Sequence, residues 1–325
     1  VITNLITSAV QLLREGELVA FPTETVYGLG ADATNDLAVK KIFLAKGRPS
    51  NNPLIAHVKD LSAIRRYGLV PPEHEKTFSQ LSALFCPGPL TFVLKRDVDA
   101  LPTLSPLISA GSDNVAFRIP RHNIALELLQ KIDRPIAAPS ANPSNYVSPT
   151  TAEHVKASLG SKVALIIDGG RCQIGLESTV ISLMLGEPPR LLRPGGVSLE
   201  ELEKVSGEKF EVMASPKSTE QPLNSPGQLA IHYSPKTKLI FRDAGNKSYP
   251  AKTGLIEFFP SQHEYAFTAV RTLSEKGDLT EVAHNLFHAV RELDEMGLDL
   301  IIVDRCALEG IGRAIMDRLN RAVHK

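Results

Sequence analysis

Four cationic side chains stand where a soluble chain has little structural reason to place them. Lys46 and Arg48 open the segment K-G-R-P-S-N-N-P-L-I-A-H, and no acidic residue occurs between Asp36 and Asp60. Arg118 interrupts the apolar run V-A-F-R-I-P, and Arg193 precedes the turn in L-L-R-P-G-G. Arginine offers a rigid fork of donors to a carboxylate or phosphate, and lysine a mobile point charge. An arginine in an apolar strand is costly unless paired, so Arg118 meets either a structural acid or a ligand carboxylate. Together these residues predict an anion site. For Lys46 and Arg48 the alternative is an exposed, solvated loop, which P-S-N-N-P would also suit. His57 sits in an apolar strand just after the basic loop; it is either a packed imidazole or a ligand contact.

Three polar segments accompany the cations. In P-T-E-T-V-Y-G-L-G, Thr23 and Thr25 can offer hydroxyls, and Gly28 and Gly30 let backbone approach a ligand. In A-A-P-S-A-N-P-S-N-Y-V-S-P-T, small hydroxyl residues and asparagines alternate with prolines that stiffen the loop, as a preorganised site needs. In G-L-E-S-T-V, Ser178 and Thr179 open a strand. Each could instead be an ordinary turn or surface loop. Ser140 or Ser178 with His57 could be drawn as a hydrolase triad, but no G-x-S-x-G elbow occurs. There is no G-x-G-x-x-G and no Walker A lysine motif. His284 and His288 lie four apart on a helix but lack the glutamate of H-E-x-x-H, so no zinc site is expected.

The elements that must position these residues read as mixed α/β. Helical spacing marks residues 5–15, 35–44 and N-I-A-L-E-L-L, with Asn35 or Thr34 as a cap for the second. Short β-rich runs mark E-L-V-A-F-P, P-L-I-A-H-V, L-T-F-V-L-K, V-A-F-R-I-P, V-A-L-I-I-D-G-G, S-T-V-I-S-L and R-L-L-R. Strands outnumber helices, and several lack a crossover helix, so the sheet should be mixed. After about residue 206 periodicity fades in a proline-rich stretch that reads as a linker. From about Lys236 strand and helix alternate again, with Ala283, Leu286, Phe287, Val290 and Leu293 on one helical face. The expected organisation is a first domain over 1–205, an ordered linker over 206–235 and a small three-layer α/β domain over 236–325.

Composition narrows the function classes. The chain has 325 residues, 43% hydrophobic and 22% charged, which suits a soluble protein of about two domains. Lys+Arg and Asp+Glu are both 36, and the balance holds in each part of the chain, which argues against a long basic groove for duplex nucleic acid. With no Trp and six Tyr, base-stacking platforms are also disfavoured. Cys86, Cys172 and Cys306 lie far apart, form no C-x-x-C and suit a reducing, cytoplasmic setting. No signal peptide and no membrane span is expected.

Taken in order, P-T-E-T-V-Y-G-L-G, K-x-R-x-x-x-x-P-L, V-A-F-R-I-P, P-S-A-N, E-S-T-V and L-R-P-G make the first two hundred residues resemble the threonylcarbamoyl-adenylate synthases. S-P-G-Q-L-A-I-H-Y-S-P and G-I-G-R-A-I-M-D-R-L-N-R-A extend the resemblance to the family's long, two-domain form. It implies an open twisted mixed sheet with a large cavity, followed by a small Rossmann-like domain. It implies that ATP, L-threonine and bicarbonate or CO2 become threonylcarbamoyl-AMP and pyrophosphate, with Mg2+ accompanying the ATP. The adenylate would then pass to tRNA threonylcarbamoyl-transfer proteins, with at most weak tRNA contact. On the threonine side the resemblance implies Thr25, His57, Arg118, Ala138 and Ser178. On the nucleotide side it implies Lys46, Arg48, Asn52, Asn114, Ser140, Ser148, Arg193, His232 and Tyr233. Asn114 departs from the small hydroxyl residue expected in many relatives. Lys46, Arg48 and Arg118 would carry the electrostatic part of catalysis.

Two other functions fit parts of this pattern. An RNA-binding module without catalysis is disfavoured by the neutral charge and few aromatics. A carbamoyl-transfer maturation factor would carry zinc-finger cysteines, which are missing from the sequence. His232 and Tyr233 are out of character for a passive tether, so residues 216–235 are expected to close as a lid over the cavity. The small domain would then be the lid's far anchor.

Overall fold

A computed structural model describes residues 2–213, 233–243, 248–263 and 265–323. The first part of the chain runs through α1 (Ile2–Arg14), β1 (Val19–Phe21), β2 (Gly28–Asp32), α2 (Asp36–Lys46), β3 (Ile55–His57), α3 (Leu61–Tyr67), β4 (Gly68–Leu69), α4 (Glu75–Phe85) and β5 (Leu90–Arg96). It continues through β6 (Asn114–Arg118), α5 (Asn123–Ile132), β7 (Ile136–Ala137), α6 (Ala152–Leu159), β8 (Leu165–Ile166), β9 (Thr179–Ser182), β10 (Arg190–Arg193), α7 (Leu199–Ser206) and β11 (Glu211–Val212). These strands make one mixed sheet in the order β11-β10-β9-β5-β6-β3-β7-β2-β1-β8, with β4 on β5. The sheet therefore reaches past residue 205, to Val212.

Local sequence explains the elements that carry the site. Asn35 caps α2, its side chain accepting from the amides of Leu37 and Ala38. The helix ends at Gly47, so Lys46 sits in its last turn and Arg48 just beyond it. The glycine-rich segment after Pro22 is only partly a loop, because G-L-G-A-D is strand β2, antiparallel to β1. Gly30 faces Val19 in that ladder, and a Cβ there would lie 2.8 Å from the Phe21 ring and 2.9 Å from Ile136. Gly30 thus serves sheet packing rather than ligand approach, while Gly28 does line the cleft described below. V-A-L-I-I-D-G-G, read as a buried strand, forms only the two half-buried residues of β8, because it pairs on one side alone.

The second unit contains β12 (Leu239–Phe241), β13 (Thr253–Glu257), β14 (Ala269–Thr272), α8 (Leu279–Asp294), β15 (Leu300–Val303) and α9 (Gly312–Ala322). Its sheet is wholly parallel in the order β12-β15-β13-β14. Ile256, Ile301 and Val303 share a core with the apolar faces of α8 and α9. Leu255, Leu300 and Ile302 face the other way, where Tyr249 and Phe267 cover them in place of a helix. The helical core also takes in Val26, Val147 and Leu176 of the first unit together with Tyr233, so the two units share buried apolar surface.

Candidate active site

The row of residues at the end of β3 builds one end of the site. His57 pairs in register with Arg118 of β6, and Arg118 with Thr91 of β5. Cross-strand partners point to the same face, so the imidazole, guanidinium and hydroxyl stand side by side. Ser178, just before β9, places its Oγ 2.7 Å from Thr91 Oγ1. Ala138 follows β7 next to β3. Thr23, Thr25, Gly28, Ile55, His57, Arg118, Ala138, Ser140, Ser178, Arg48, Arg193, Glu177 and Tyr233 are among the residues lining a single cleft.

Arg118 is buried and resolves the choice left open by its strand. Its Nη2 lies 2.8 Å from Glu24 Oε1, and its Nε donates to Gly88 O at 3.3 Å. Glu24 is held in turn by the Arg121 amide, 3.0 Å from Oε2. A structural acid therefore fixes the guanidinium, which still faces the cleft. Burial, then the nearby Arg118 charge, pull His57 down to about 3, so the ring is neutral at physiological pH. Its buried Nδ1 has no partner among the described residues. Thr23 Oγ1 donates to Val26 O at 2.6 Å and lies 2.8 Å from Thr25 Oγ1. With the Thr23 proton committed, Thr25 is the donor of that pair, and its own oxygen presents lone pairs.

Two more buried arginines line the same cleft, and a buried lysine stands behind its wall. Arg48 is clamped by Asn52 and Pro53: Nε donates to Asn52 O at 3.0 Å, and Nη2 to Asn52 Oδ1 at 2.6 Å and Pro53 O at 2.7 Å. Burial lowers it to about 9. Arg193 donates from Nε and Nη2 to Ser178 O, at 3.1 and 2.9 Å, and from Nη2 to Ser178 Oγ at 3.2 Å. The P-G-G turn makes this approach possible, since a Cβ on Gly195 would lie 2.3 Å from the Ser178–Thr179 peptide. Lys46 is buried and donates to Ser140 O at 2.6 Å and Asn142 O at 2.5 Å. Burial, then Arg48, hold its ammonium well below the usual lysine range.

Several expected residues therefore stand behind the cleft wall. Lys46 ties the P-S-A-N loop, Asn52 orients Arg48, and Ser148 donates to Glu177 Oε1 at 2.5 Å. Asn114 lies apart, lining a neighbouring cleft with Val93, Ser182, Arg190 and Leu192. It is four residues before Arg118 on β6, so the two share a sheet face joined by Ala116. Tyr233 is buried in the cleft with φ 63°, in the left-handed region rarely taken by a bulky residue. Its ring stacks on Phe287, with centroids 5.6 Å apart. His232 and the expected lid, except residues 233–235, lie outside the described residues.

Sequence reasoning passed over two acids and two arginines. Glu24 and Glu177 sit inside quoted motifs, and a carboxylate beside a buried arginine is the signal that could have marked them. Glu177 is buried, and that alone would raise its carboxyl, but Arg318 and Arg193 reverse the effect and hold it low. Arg318 belongs to α9, and its Nε lies 2.8 Å from Glu177 Oε2. Arg291 of α8 donates to the carbonyls of Val147 and Ser148. Among the described residues, no group of three or more His, Cys, Asp or Glu gathers to hold a metal.

Known proteins share this architecture. Residues 11–195 match the Sua5/YciO/YrdC family model, described as telomere recombination. Residues 197–323 match the model described as the threonylcarbamoyl-AMP synthase C-terminal domain. A threonylcarbamoyl-AMP synthase of Bacillus subtilis is 42% identical over 98% of this chain and 92% of its own. The crystal structure of Pyrococcus abyssi Sua5 complexed with L-threonine superposes with a TM-score of 0.87 at 41% identity, covering 98% of this chain and 94% of that one. A variant of the Pyrococcus protein with a histidine and the next tyrosine replaced by alanine superposes with a TM-score of 0.86 at 41% identity, covering 98% and 92%.

Proposed function

Since the chain belongs to the two-domain threonylcarbamoyl-AMP synthase family and is an enzyme making threonylcarbamoyl-AMP for tRNA modification, we propose that its cleft binds L-threonine at the His57–Arg118 end and the ATP phosphates at the Arg48–Arg193 end. What supports this division is the fixed Glu24–Arg118 pair beside His57, in a cleft that two further buried arginines, Arg48 and Arg193, also line. Arg118 receives the threonine carboxylate as a two-pronged donor. Thr25 turns acceptor lone pairs towards the amine, and neutral His57 with Ser178 reads the hydroxyl. Ala138 packs against the methyl.

Arg48 and Arg193 take the phosphates, and Lys46 keeps the Ser140 loop in place beside them. Tyr233 contributes a wall, and His232 next to it forms the only adjacent His-Tyr pair in the sequence. Asn114 belongs to the far end of the same sheet face, where the nucleoside would extend. Magnesium arrives with ATP and is carried by the triphosphate oxygens. The small domain and the residues from 214 to 235 support the catalytic unit, which we place at 1–213. The adenylate leaves for a tRNA threonylcarbamoyl-transfer protein.

In the reaction, the threonine amine adds to CO2 and loses a proton, giving a carbamate. A carbamate oxygen then attacks the α-phosphorus, and the bond to pyrophosphate breaks. With bicarbonate as the carbon source, water is also released. No enzyme nucleophile is required, and burial raises the Cys86 and Cys172 thiols to about 12, which suits neither for that role. Catalysis is alignment plus stabilisation of charge on the leaving pyrophosphate. The test supplies ATP, magnesium, bicarbonate and threonine and measures pyrophosphate and the adenylate. Pyrophosphate release that ignores threonine would refute the assignment of the two ends.

A further inference from the structure

Glu177 raises a problem for a phosphate site. It is a buried carboxylate lining the same cleft as Arg48 and Arg193. Left unpaired it would repel a triphosphate and cancel one of the arginines that should attract it. In the first unit Arg193 helps hold Glu177 low, but its Nε and Nη2 donate to the Ser178 carbonyl. A cation that bonds it directly comes from the other unit. Arg318, one of the largest fully buried side chains among the described residues, donates from Nε to Glu177 Oε2 at 2.8 Å and from Nη1 to Asp317 at 2.6 Å. The same guanidinium lies 5.2 Å from the centroid of the Tyr233 ring. Glu177 in turn fixes the Ser148 hydroxyl. Arg318 therefore touches, directly or through one partner, three residues of the candidate nucleotide end while standing on a helix of the small domain.

We propose that Arg318 is a positioning residue for ATP, neutralising Glu177 and setting the Tyr233 ring, so that the small domain completes the nucleotide end of the site. This rests on the division of the cleft proposed above. It makes the small domain an electrostatic part of that site, beyond a mechanical support.

The test uses the full chain and four forms: wild type, Arg318→Gln, Arg318→Lys and the double variant Arg318→Gln with Glu177→Gln. Pyrophosphate release is followed against ATP at saturating threonine and against threonine at saturating ATP, with melting curves to confirm folding. Arg318→Gln should raise the KM for ATP on the order of ten-fold or more and the KM for threonine little. Arg318→Lys, which keeps the charge, should recover part of the loss. The double variant should recover most of it, because Glu177→Gln removes the buried charge and still offers Ser148 an oxygen. An unchanged KM for ATP in folded Arg318→Gln overturns the proposal. So does an equal rise in both KM values, which would mean general loosening, or a double variant no better than the single one. If Arg48 and Arg193 substitutions alter threonine binding and spare ATP, the division of the cleft fails instead, whatever Arg318 does.

Discussion

Arg118 and His57 are neighbours in one ladder. Glu24 pairs with Arg118 and fixes its guanidinium facing the cleft. Arg118→Ala should remove the contact proposed with the threonine carboxylate, about 1.5–3 kcal/mol for a charge-assisted hydrogen bond, and leave Glu24 buried without its ion-pair partner. Calorimetry should show threonine affinity falling much more than ATP affinity; unchanged threonine affinity in folded protein would refute the assignment. His57 is kept neutral by burial and by Arg118, at about 3 against an ordinary 6.5. The unfolded chain takes up that proton as pH falls through 6.5, whereas the folded chain resists until about 3. The stability tied to neutral His57 is thus fully present above 6.5 and is lost progressively towards 3. His154, also lowered to about 3 chiefly by burial, acts in the same direction. The melting temperature of His57→Gln should fall less steeply than wild type between pH 6.5 and about 4. Parallel slopes would show that His57 does not titrate in this way.

At the scale of elements, short connections fix the site by tying loops to rigid neighbours. The end of α2 sends Lys46 into the carbonyls of the P-S-A-N loop, and α8 sends Arg291 into those of Val147 and Ser148 just downstream. One polar loop is thus gripped from both units. The β1–β2 hairpin carries the Thr23–Thr25 segment at its turn, and its geometry depends on close packing of β2 against Phe21. Gly30→Ala would place a methyl 2.8 Å from that ring and 2.9 Å from Ile136, with Val19 O at 3.2 Å. Overpacking of this kind costs about 1–3 kcal/mol. Urea unfolding should show a loss of that size, and a variant as stable as wild type would mean that β1 and β2 can move apart cheaply.

For the whole molecule, the important fact is that the two units share a core. Val26, Val147 and Leu176 of the first unit pack with Tyr233 and with residues of α8 and α9. The larger cores around the mixed sheet lie within residues up to Phe210. A chain ending at Met213 should therefore fold, with its sheet intact by circular dichroism, but make little threonylcarbamoyl-AMP. It would lose Arg291, Arg318 and Tyr233 together and expose apolar surface at the cleft. Full activity from that truncated chain would show that the small domain is dispensable for the chemistry.

Much of this was legible in the residues alone. Alternating and helical apolar patterns are local properties of a strand or helix, so β1, β3, β5, β6 and α8 could be read from them, and the ordered motifs identified the family and the cationic character of the site. Two-residue strands such as β8 and β11 carry no period to read, and G-L-G-A-D lacks the side chains that usually mark a strand. The roles of Lys46, Asn52 and Ser148 were beyond sequence reasoning for another reason: a polar group's partner is chosen by the fold, across distances that spacing does not encode. Lys46 meets carbonyls 94 and 96 residues away, and Arg318 meets an acid 141 residues away. Which charges the molecule holds, and which strands and helices carry them, can be read from residue order. Which of those charges face the cleft and which hold its walls cannot, because that choice depends on burial and pairing between segments remote in the chain.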